Sequence, residues 1–314
     1  MSETDRVSTA AATLSGLDWG TTSFRAYRIA ADGRILERHG APAGILQIEG
    51  GDFPGALGRE IGPWLEREPG VPVLAAGMIT SRQGWVEVPY ATCPAGEAEL
   101  AQGIASHRAP SGTIRFVPGV AFEGEGGVPD VIRGEETQIV GQLGPEEAGG
   151  RFVMPGTHSK WVVVEGGRIV AFATFMTGEV YGVLKGHSIL GRLMAGDGED
   201  AQAFARGLAH AEGGAGGLLR RLFSARTLPL FGRLPETGVA SYLSGLLIGS
   251  EIGEALAWMG APAGVEALTV VGTSELAGRY RRALAARGIE ATVGTDDAAA
   301  QGLFRIARAA GLIG

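Results

Sequence analysis

The chain has 314 residues, of which 45% are hydrophobic and 19% are charged, so it can bury a large core and has room for about two domains. Its formal net charge of −7 excludes a generally basic nucleic-acid-binding protein, and its one cysteine excludes an intramolecular disulfide and a cysteine-based zinc site. Residues 1–13 lack the apolar segment of a signal peptide and are predicted to be a flexible tail. The longest apolar stretch, 239–258, is interrupted by two glutamates and is predicted to be a buried helix rather than a membrane span. These features favour a cytoplasmic protein with no nucleic-acid or membrane partner, and they leave open whether it is a homodimer.

The first half of the chain predicts a β-meander followed by mixed structure. A strand at 14–17 leads into the loop Asp18-Trp19-Gly20-Thr21-Thr22-Ser23, and two further strands at 24–29 and 34–38 are joined by a glycine turn. Later patterns predict a helix that Pro63 should kink, a strand, and a helix that opens with two glutamates, at 55–66, 71–75 and 134–143. The segment 90–108 has no pattern that assigns it.

The second half begins with another meander and ends in strand–helix units. Its strands are predicted at 151–154, 161–164 and 168–175, and the loop after the first of them is Pro155-Gly156-Thr157-His158-Ser159-Lys160. Helical patterns follow at 180–194, 200–208, 218–223 and 239–258. A strand at 267–271 then runs into a helix that ends at 287, and a strand at 289–293 runs into a helix that ends at 309. Asp296 and Asp297 are predicted to cap this last helix.

The two meanders form an internal duplication. Gly156 follows Gly20 by 136 residues, and each meander has the order strand, Gly-Thr-x-Ser loop, strand, glycine turn with an arginine after it, strand. Strands that alternate with helices indicate an α/β fold. We therefore predict two similar lobes, an N-terminal lobe over 14–145 and a C-terminal lobe over 146–314.

Loops of this kind suit phosphate binding. A strand that ends in a Gly-Thr/Ser loop presents backbone N–H groups and hydroxyls in a small concavity, which can hold phosphate oxygens. Asp18 adds a carboxylate of the type that Mg²⁺ prefers when phosphate is also present, and Gly272-Thr273-Ser274-Glu275 is a third such loop. These loops favour an ATP-dependent phosphotransferase.

The same loops resemble the first phosphate, second phosphate and adenosine motifs of the superfamily of sugar kinases, heat-shock chaperone ATPases and actin. The resemblance extends to one family, 2-dehydro-3-deoxygalactonokinase, through segments that cover nearly the whole chain from Leu14: Ala76 to Ser81, Arg133 to Gln138, Met154 to Trp161, Thr177 to Glu179, His187 to Leu190 and Asp297 to Ala300. It implies two ribonuclease H-like lobes with an ATP cleft between them. It also implies ATP-dependent phosphorylation of the C6 hydroxyl of 2-dehydro-3-deoxy-D-galactonate in galactonate catabolism, with ATP and Mg²⁺ as cofactors.

Phosphoryl transfer needs groups that hold phosphate, a carboxylate that holds the metal, and a base near the acceptor hydroxyl. Asp18 is the expected metal-linked and catalytic carboxylate. The residues expected to hold the nucleotide are Gly20, Thr21, Thr22 and Ser23 in the first loop, Gly156, Thr157, His158, Ser159 and Lys160 in the second, and Gly272, Thr273 and Glu275 near the adenosine. Two roles remain open for Lys160: its side chain offsets phosphate charge, or it faces solvent.

The base and the substrate carboxylate need residues from elsewhere in the chain. Met154 occupies in the second loop the position that Asp18 has in the first, so the candidates for the base are Glu135 and Glu136, with Asp130 behind them. Glutamates in a first helical turn can instead only complement the helix dipole. Arg82 is the leading candidate for the substrate carboxylate, because a guanidinium can bind it bidentately, and a surface salt bridge is its alternative role. Further candidates near the substrate are Arg133 and Glu179.

Three other functions remain open at this stage. A hydrolase of the same superfamily would release phosphate with water as the acceptor, and a nucleotide-dependent binding or filament protein would not turn over a sugar. The absence of a basic helix-turn-helix segment weighs against a sugar-sensing regulator.

Overall fold

The computed structural model describes residues 11–144, 149–196, 198–213, 216–261 and 268–314. The chain forms two compact units. The first contains the residues up to 149 together with 163–172 and 295–314, and the second contains 150–162 and 173–294. Most of the predicted tail and the predicted lobe boundary at 145–146 lie outside the described residues. The predicted lobes differ from these units in two respects, because 163–172 and 295–314 count with the first unit.

The elements follow the chain in a mixed α/β order. The strands are β1 (Leu14–Trp19), β2 (Phe24–Ile29), β3 (Ile35–Ala41), β4 (Val73–Ala76), β5 (Ala91–Thr92), β6 (Ala105–Ala109), β7 (Gly112–Phe116), β8 (Val120–Glu123), β9 (Pro129–Ile132), β10 (Gly149–Met154), β11 (Ser159–Glu165), β12 (Arg168–Phe175), β13 (Leu268–Val270) and β14 (Ala291–Val293). The helices are α1 (Phe53–Arg67), α2 (Glu97–Gln102), α3 (Glu135–Gln142), α4 (Thr177–His187), α5 (Ala201–Glu212), α6 (Leu218–Leu222), α7 (Ser224–Leu230), α8 (Val239–Trp258), α9 (Ser274–Ala285) and α10 (Ala298–Ala309).

The main sheet of the first unit has the strand order β3-β2-β1-β4-β7-β6. Strands β1, β2 and β3 form the predicted antiparallel meander, and β4 lies parallel to β1. Trp19 and Phe24 face each other across the β1–β2 pair, and both side chains are fully buried in the core beneath α1. Because β1 and β4 are parallel neighbours, the segments that follow them leave the sheet at the same edge.

The second large sheet repeats this topology. Its order is β12-β11-β10-β13-β14, so a meander is again followed by parallel strands on the side of its first strand. A small third sheet, β5-β8-β9, belongs to the first unit. The predicted duplication and the predicted α/β class are therefore confirmed.

Helices α3 and α10 of the first unit pack in unusually close contact. A Cβ at Gly302 would lie 1.8 Å from the Thr137 carbonyl oxygen, and one at Gly141 would lie 1.9 Å from the Ala298 carbonyl oxygen. Only glycine allows backbones to approach this closely. Arg305 of α10 also donates to the Val140 and Leu143 carbonyl oxygens, which lie at the end of α3.

Several elements differ from their predicted form. Helix α4 ends at His187 instead of extending to 194, whereas α1 is a helix with Pro63 inside it, as predicted. Strands β7, β8 and β9 had no predicted counterpart, and the unassigned segment 90–108 contains β5, α2 and most of β6. The predicted strand at 267–271 is observed as β13, and its residue 267 lies outside the described residues.

The predicted cap of the last helix is wrong in its chemistry. Asp297 occupies the N-cap position of α10, but its carboxylate makes no capping hydrogen bond and instead accepts from Arg38 at 2.8 Å. The charge-assisted hydrogen bond from Arg38 is stronger than a capping bond from a backbone N–H, so the carboxylate binds Arg38 instead of the helix end. Asp296 lies one residue before the N-cap position and therefore does not cap the helix.

Within the described residues, no helix combines the length and the hydropathy that a membrane span needs.

Candidate active site

Asp18 lies near the carboxyl end of β1 and is only 6% exposed. The β1–β2 register places it opposite Arg25, and Arg25 Nη2 lies 2.6 Å from Asp18 Oδ2. Burial raises the pKa of the Asp18 carboxyl, the Arg25 guanidinium opposes this shift, and the negative charge of Glu135 adds to it. The result is a sheltered carboxylate whose charge depends on a neighbouring cation.

The segments after β4 and β9 bring two more parts of the predicted site to Asp18. A Cβ at Gly77 would lie 2.8 Å from the Trp19 carbonyl oxygen and 3.4 Å from Asp18 Oδ1, and one at Gly134 would lie 3.2 Å from Gly77 Cα. Both glycines have a positive φ, 96° and 110°, that other residues rarely adopt. Gly77 and Gly134 therefore allow the start of α3 to approach the end of β1.

The two glutamates at the start of α3 occupy different environments. Glu136 is 0% exposed, accepts from the Gly134 N–H at 2.7 Å and from the Thr137 hydroxyl at 3.1 Å, and has a pKa raised to about 7, mainly by burial. Glu135 is half-buried and accepts from the Arg133 N–H at 2.9 Å. Both carboxyl groups thus accept hydrogen bonds from backbone N–H groups just before the helix, and their negative charge lies at its N-terminus, where the helix dipole favours it. Of the two, only Glu135 has exposed surface.

The first Gly-Thr loop is a tight turn with exposed side chains. The Gly20 N–H donates to the Ser23 carbonyl oxygen at 2.9 Å, and the Ile45 N–H donates to the Gly20 carbonyl oxygen at 3.0 Å. The side chains of Thr21, Thr22 and Ser23 all face solvent. The loop backbone is therefore fixed while its hydroxyl groups remain accessible.

In the second unit, the loop after β10 is held against the start of α4. A Cβ at Gly178 would lie 2.3 Å from the Gly156 carbonyl oxygen, and the Glu179 N–H donates to the Thr157 carbonyl oxygen at 2.9 Å. The Glu179 carboxylate also lies 2.5 Å from His158 Nε2, and both side chains are partly exposed. The structure thus brings Glu179 to the second loop.

The third Gly-Thr loop lies beside the second one. Strands β10 and β13 are parallel neighbours, and a Cβ at Gly272 would lie 3.6 Å from two atoms of Pro155. Thr273 is the N-cap residue of α9 and makes no side-chain capping bond, while Glu275 pairs with Arg279 on the helix surface. The second loop therefore lies near the N-termini of α4 and α9, where backbone N–H groups favour anions.

Two predictions for the second loop need correction. Lys160 is 7% exposed and donates from Nζ to the His158 carbonyl oxygen at 3.1 Å, so the reading in which it faces solvent is wrong. The Ser159 hydroxyl is fully buried and lies 2.9 Å from the Tyr280 hydroxyl, so this side chain does not line the loop. Strand β11 begins at Ser159, and the alternation of the strand turns that residue into the core.

The two arginines expected near the substrate differ in accessibility. Arg82 is 87% exposed, and its Nε donates to Glu87 at 3.3 Å. Arg133 instead holds the segment before β5: it donates from Nη1 to the Thr80 carbonyl oxygen at 2.6 Å and from Nη2 to the Val88 carbonyl oxygen at 3.0 Å, and it lies over the Tyr90 ring. The surface salt bridge that was the alternative role of Arg82 is therefore present, although the side chain stays accessible to solvent. Most donors of Arg133 already have partners inside the unit.

Arg25, the partner of Asp18, was not among the predicted site residues. A signal was available, because a hairpin that closes around the Gly20–Ser23 turn pairs residue 19 with 24 and therefore 18 with 25. Within the described residues, no three His, Cys, Asp or Glu side chains form a metal site by themselves.

The duplicated meanders and the Gly-Thr loops at their strand ends define the two-unit fold of the sugar kinases. A crystal structure of a Sinorhizobium meliloti protein provisionally assigned as a 2-dehydro-3-deoxygalactonokinase matches with a TM-score of 0.84 at 34% identity, over 94% of this chain and 98% of that one. The 2-dehydro-3-deoxygalactonokinase of Escherichia coli (strain K12) is 35% identical over 93% of this chain and 97% of its own length. The family model of 2-keto-3-deoxy-galactonokinase matches residues 18–306. The chain belongs to the 2-keto-3-deoxy-galactonokinase family.

Proposed function

We propose that this protein is an ATP-dependent kinase that phosphorylates the C6 hydroxyl of 2-dehydro-3-deoxy-D-galactonate. The observation that carries the proposal is the convergence of Asp18, Gly77 and the start of α3 at one edge of the first sheet, in a chain that belongs to this family from residue 18 to residue 306. The names of the curated relatives support the substrate class.

The loops provide the groups that a nucleoside triphosphate requires. In the first unit, the exposed hydroxyls of Thr21, Thr22 and Ser23 are suited to phosphate oxygens. In the second unit, the Gly156–His158 loop and the neighbouring start of α9 offer backbone N–H groups, and Gly272 and Thr273 are the proposed adenosine contacts. Lys160 adds a positive charge close behind that loop.

Asp18 fits Mg²⁺ as a single carboxylate ligand. A single carboxylate suffices where the phosphates of ATP hold the same ion. When bound, such an ion neutralises charge that develops on the phosphate oxygens. Arg25 would keep the Asp18 carboxylate ionised and oriented for this role.

The transfer itself needs one proton acceptor. The C6 oxygen attacks the γ-phosphorus, the bond from that phosphorus to the β-phosphate oxygen breaks, and the hydroxyl proton passes to a carboxylate. Glu135 is the better candidate of the two helix glutamates because it is partly exposed, whereas Glu136 is closed off. Asp18 is the other candidate, since burial raises the pKa of its carboxyl above the ordinary value.

Arg82→Ala is expected to raise the KM for the sugar acid about 10- to 100-fold, since charge-assisted hydrogen bonds contribute about 1.5–3 kcal/mol, and to leave the KM for ATP nearly unchanged. The exposed Arg82 has no strong internal partner that the change would disrupt. Steady-state kinetics with each substrate varied in turn measure this. Arg59→Ala, which removes an exposed arginine from α1 in the same unit, is the matched control. Equal increases in both KM values would remove Arg82 from the substrate site.

We also propose a cytoplasmic location, which the single cysteine supports because disulfide-dependent secreted domains use several.

The deciding experiment is Mg²⁺-dependent ADP release from ATP, measured with 2-dehydro-3-deoxy-D-galactonate, with its gluconate-derived epimer, and with no acceptor. Release that requires the galactonate-derived acid, together with one equivalent of phosphorylated product, supports the proposal and identifies the preferred epimer. ADP and phosphate release without an acceptor would instead identify a hydrolase. No release under any condition would contradict both enzymatic functions.

A further inference from the structure

The second unit contains a buried carboxylate that the proposed reaction does not use. Glu251 lies in the middle of α8 and is only 3% exposed. Trp161 Nε1 donates to its Oε1 at 2.8 Å, and the Tyr280 hydroxyl donates to its Oε2 at 2.7 Å. The hydroxyls of Thr177 and Ser159 also hydrogen-bond to this carboxyl group. These four partners are all neutral donors, and together they fill the acceptor sites of the buried carboxylate.

The four donors come from the three segments that carry the predicted nucleotide contacts of this unit. Ser159 and Trp161 begin β11, directly after the Gly156–His158 loop. Thr177 is the first residue of α4, and the next two residues contact that loop. Tyr280 lies on α9, which begins directly after the Gly272–Thr273 turn. One carboxylate therefore connects the inner sides of all three segments.

We infer that Glu251 is a positioning residue for the nucleotide, which fixes the second Gly-Thr loop, the start of α4 and the start of α9 relative to one another. It touches no ligand itself. Backbone N–H groups bind phosphate well only when their directions are set in advance, because ordering them at the moment of binding costs affinity. The Glu251 network provides this order through side chains that meet only in the folded unit. The inference rests on the proposed use of ATP.

The test uses two substitutions in the network and a matched control. Glu251→Gln keeps the shape of the side chain but turns one acceptor oxygen into a donor that faces another donor. Tyr280→Phe removes a single hydroxyl and is the milder change. Tyr242→Phe is the control, because Tyr242 is also a buried tyrosine of the second unit, and its hydroxyl contacts Ser224 and His210, which lie in none of the three segments.

Calorimetric dissociation constants for ATP, KM values for both substrates and melting temperatures are measured for all four proteins. Tyr280→Phe is expected to weaken ATP binding about fivefold and Glu251→Gln about tenfold or more, with the KM for the sugar acid within about twofold of its original value. Tyr242→Phe is expected to lower the melting temperature by about as much as Tyr280→Phe does. Its dissociation constant for ATP is expected to stay within about twofold of the original value. If Glu251→Gln does not fold, Tyr280→Phe decides.

The opposite pattern would overturn the inference: similar losses of melting temperature in all three variants, with ATP binding unchanged. Failure of the proposed function gives a different result. If the original chain binds ATP but phosphorylates no sugar acid, the kinase proposal fails. The ATP dissociation constants of the variants then still test the positioning role of Glu251. If the original chain binds no ATP, both proposals are overturned.

Discussion

Asp18→Asn is expected to lower kcat about 100- to 1,000-fold, equivalent to about 2.7–4 kcal/mol of barrier, while the chain stays folded. Asparagine fills the same space, but it carries no charge to hold a metal ion or to pair with Arg25 at 2.6 Å. Steady-state turnover at saturating substrates measures the loss, and circular dichroism checks the fold. The KM for the sugar acid should change little, because the carboxylate of that substrate is assigned to Arg82.

The control for this substitution is Asp32→Asn. Asp32 is an exposed aspartate in the turn before β3 and pairs weakly with Arg34 at 3.7 Å. Its substitution removes the same charge from the same meander, so general electrostatic effects on ATP binding are matched. Turnover of Asp18→Asn within about threefold of the control would rule out the metal-linked role of Asp18.

Glu136→Gln is expected to stabilise the folded chain above pH 7 and to change its stability little near pH 5. The Glu136 carboxyl has a pKa of about 7 in the folded chain against an ordinary value of 4.5, because burial disfavours its charged form. Between pH 4.5 and about pH 7, the Glu136 carboxyl is ionised in the unfolded chain but still protonated in the folded chain. Rising pH therefore favours unfolding, and the free energy of unfolding falls by up to about 3 kcal/mol across this window.

Glutamine removes this loss because it has no proton to release. Urea unfolding at pH 5 and pH 8, compared between Glu136→Gln and the original chain, measures the difference. Glu66→Gln, at an exposed position of α1 in the same unit, is the control and should show the same pH dependence as the original chain. The raised pKa of the Asp18 carboxyl acts equally on all three proteins and cancels in the comparison. A constant difference between Glu136→Gln and the original chain at both pH values would contradict the buried, protonated state of Glu136.

Local patterns predicted the parts of the site that lie next to one another in the sequence. The Gly-Thr loops follow strands, and the strand–loop–strand pattern is visible in any window of about 15 residues. The convergence of Gly77 and Gly134 on Asp18 was not predictable in this way. It depends on the order of strands in the sheet and on two positive φ angles, which no periodicity reveals.

The Glu251 network shows a second reason for the limits of sequence reasoning. Helix α8 is apolar on nearly all sides, so its one fully enclosed carboxylate looked like an interruption of a hydrophobic segment. Its partners Trp161 and Tyr280 lie 90 residues before it and 29 residues after it. Ser159 was assigned to phosphate by its place in the loop motif, whereas the strand that begins there turns its hydroxyl toward Tyr280. Short motifs identify loops correctly but do not decide which side of the backbone each side chain occupies.

The close packing of α10 on α3 has a consequence for the synthesis of this protein. The helix that carries Glu135 and Glu136 is synthesised well before α10, whose Gly302 packs against it. The first unit therefore completes its packing only after residues 173–294 of the second unit have been synthesised. The candidate catalytic edge of the first sheet gains its final support only once α10 has been made. A chain stalled or cut before residue 295 leaves α3 without its partner helix.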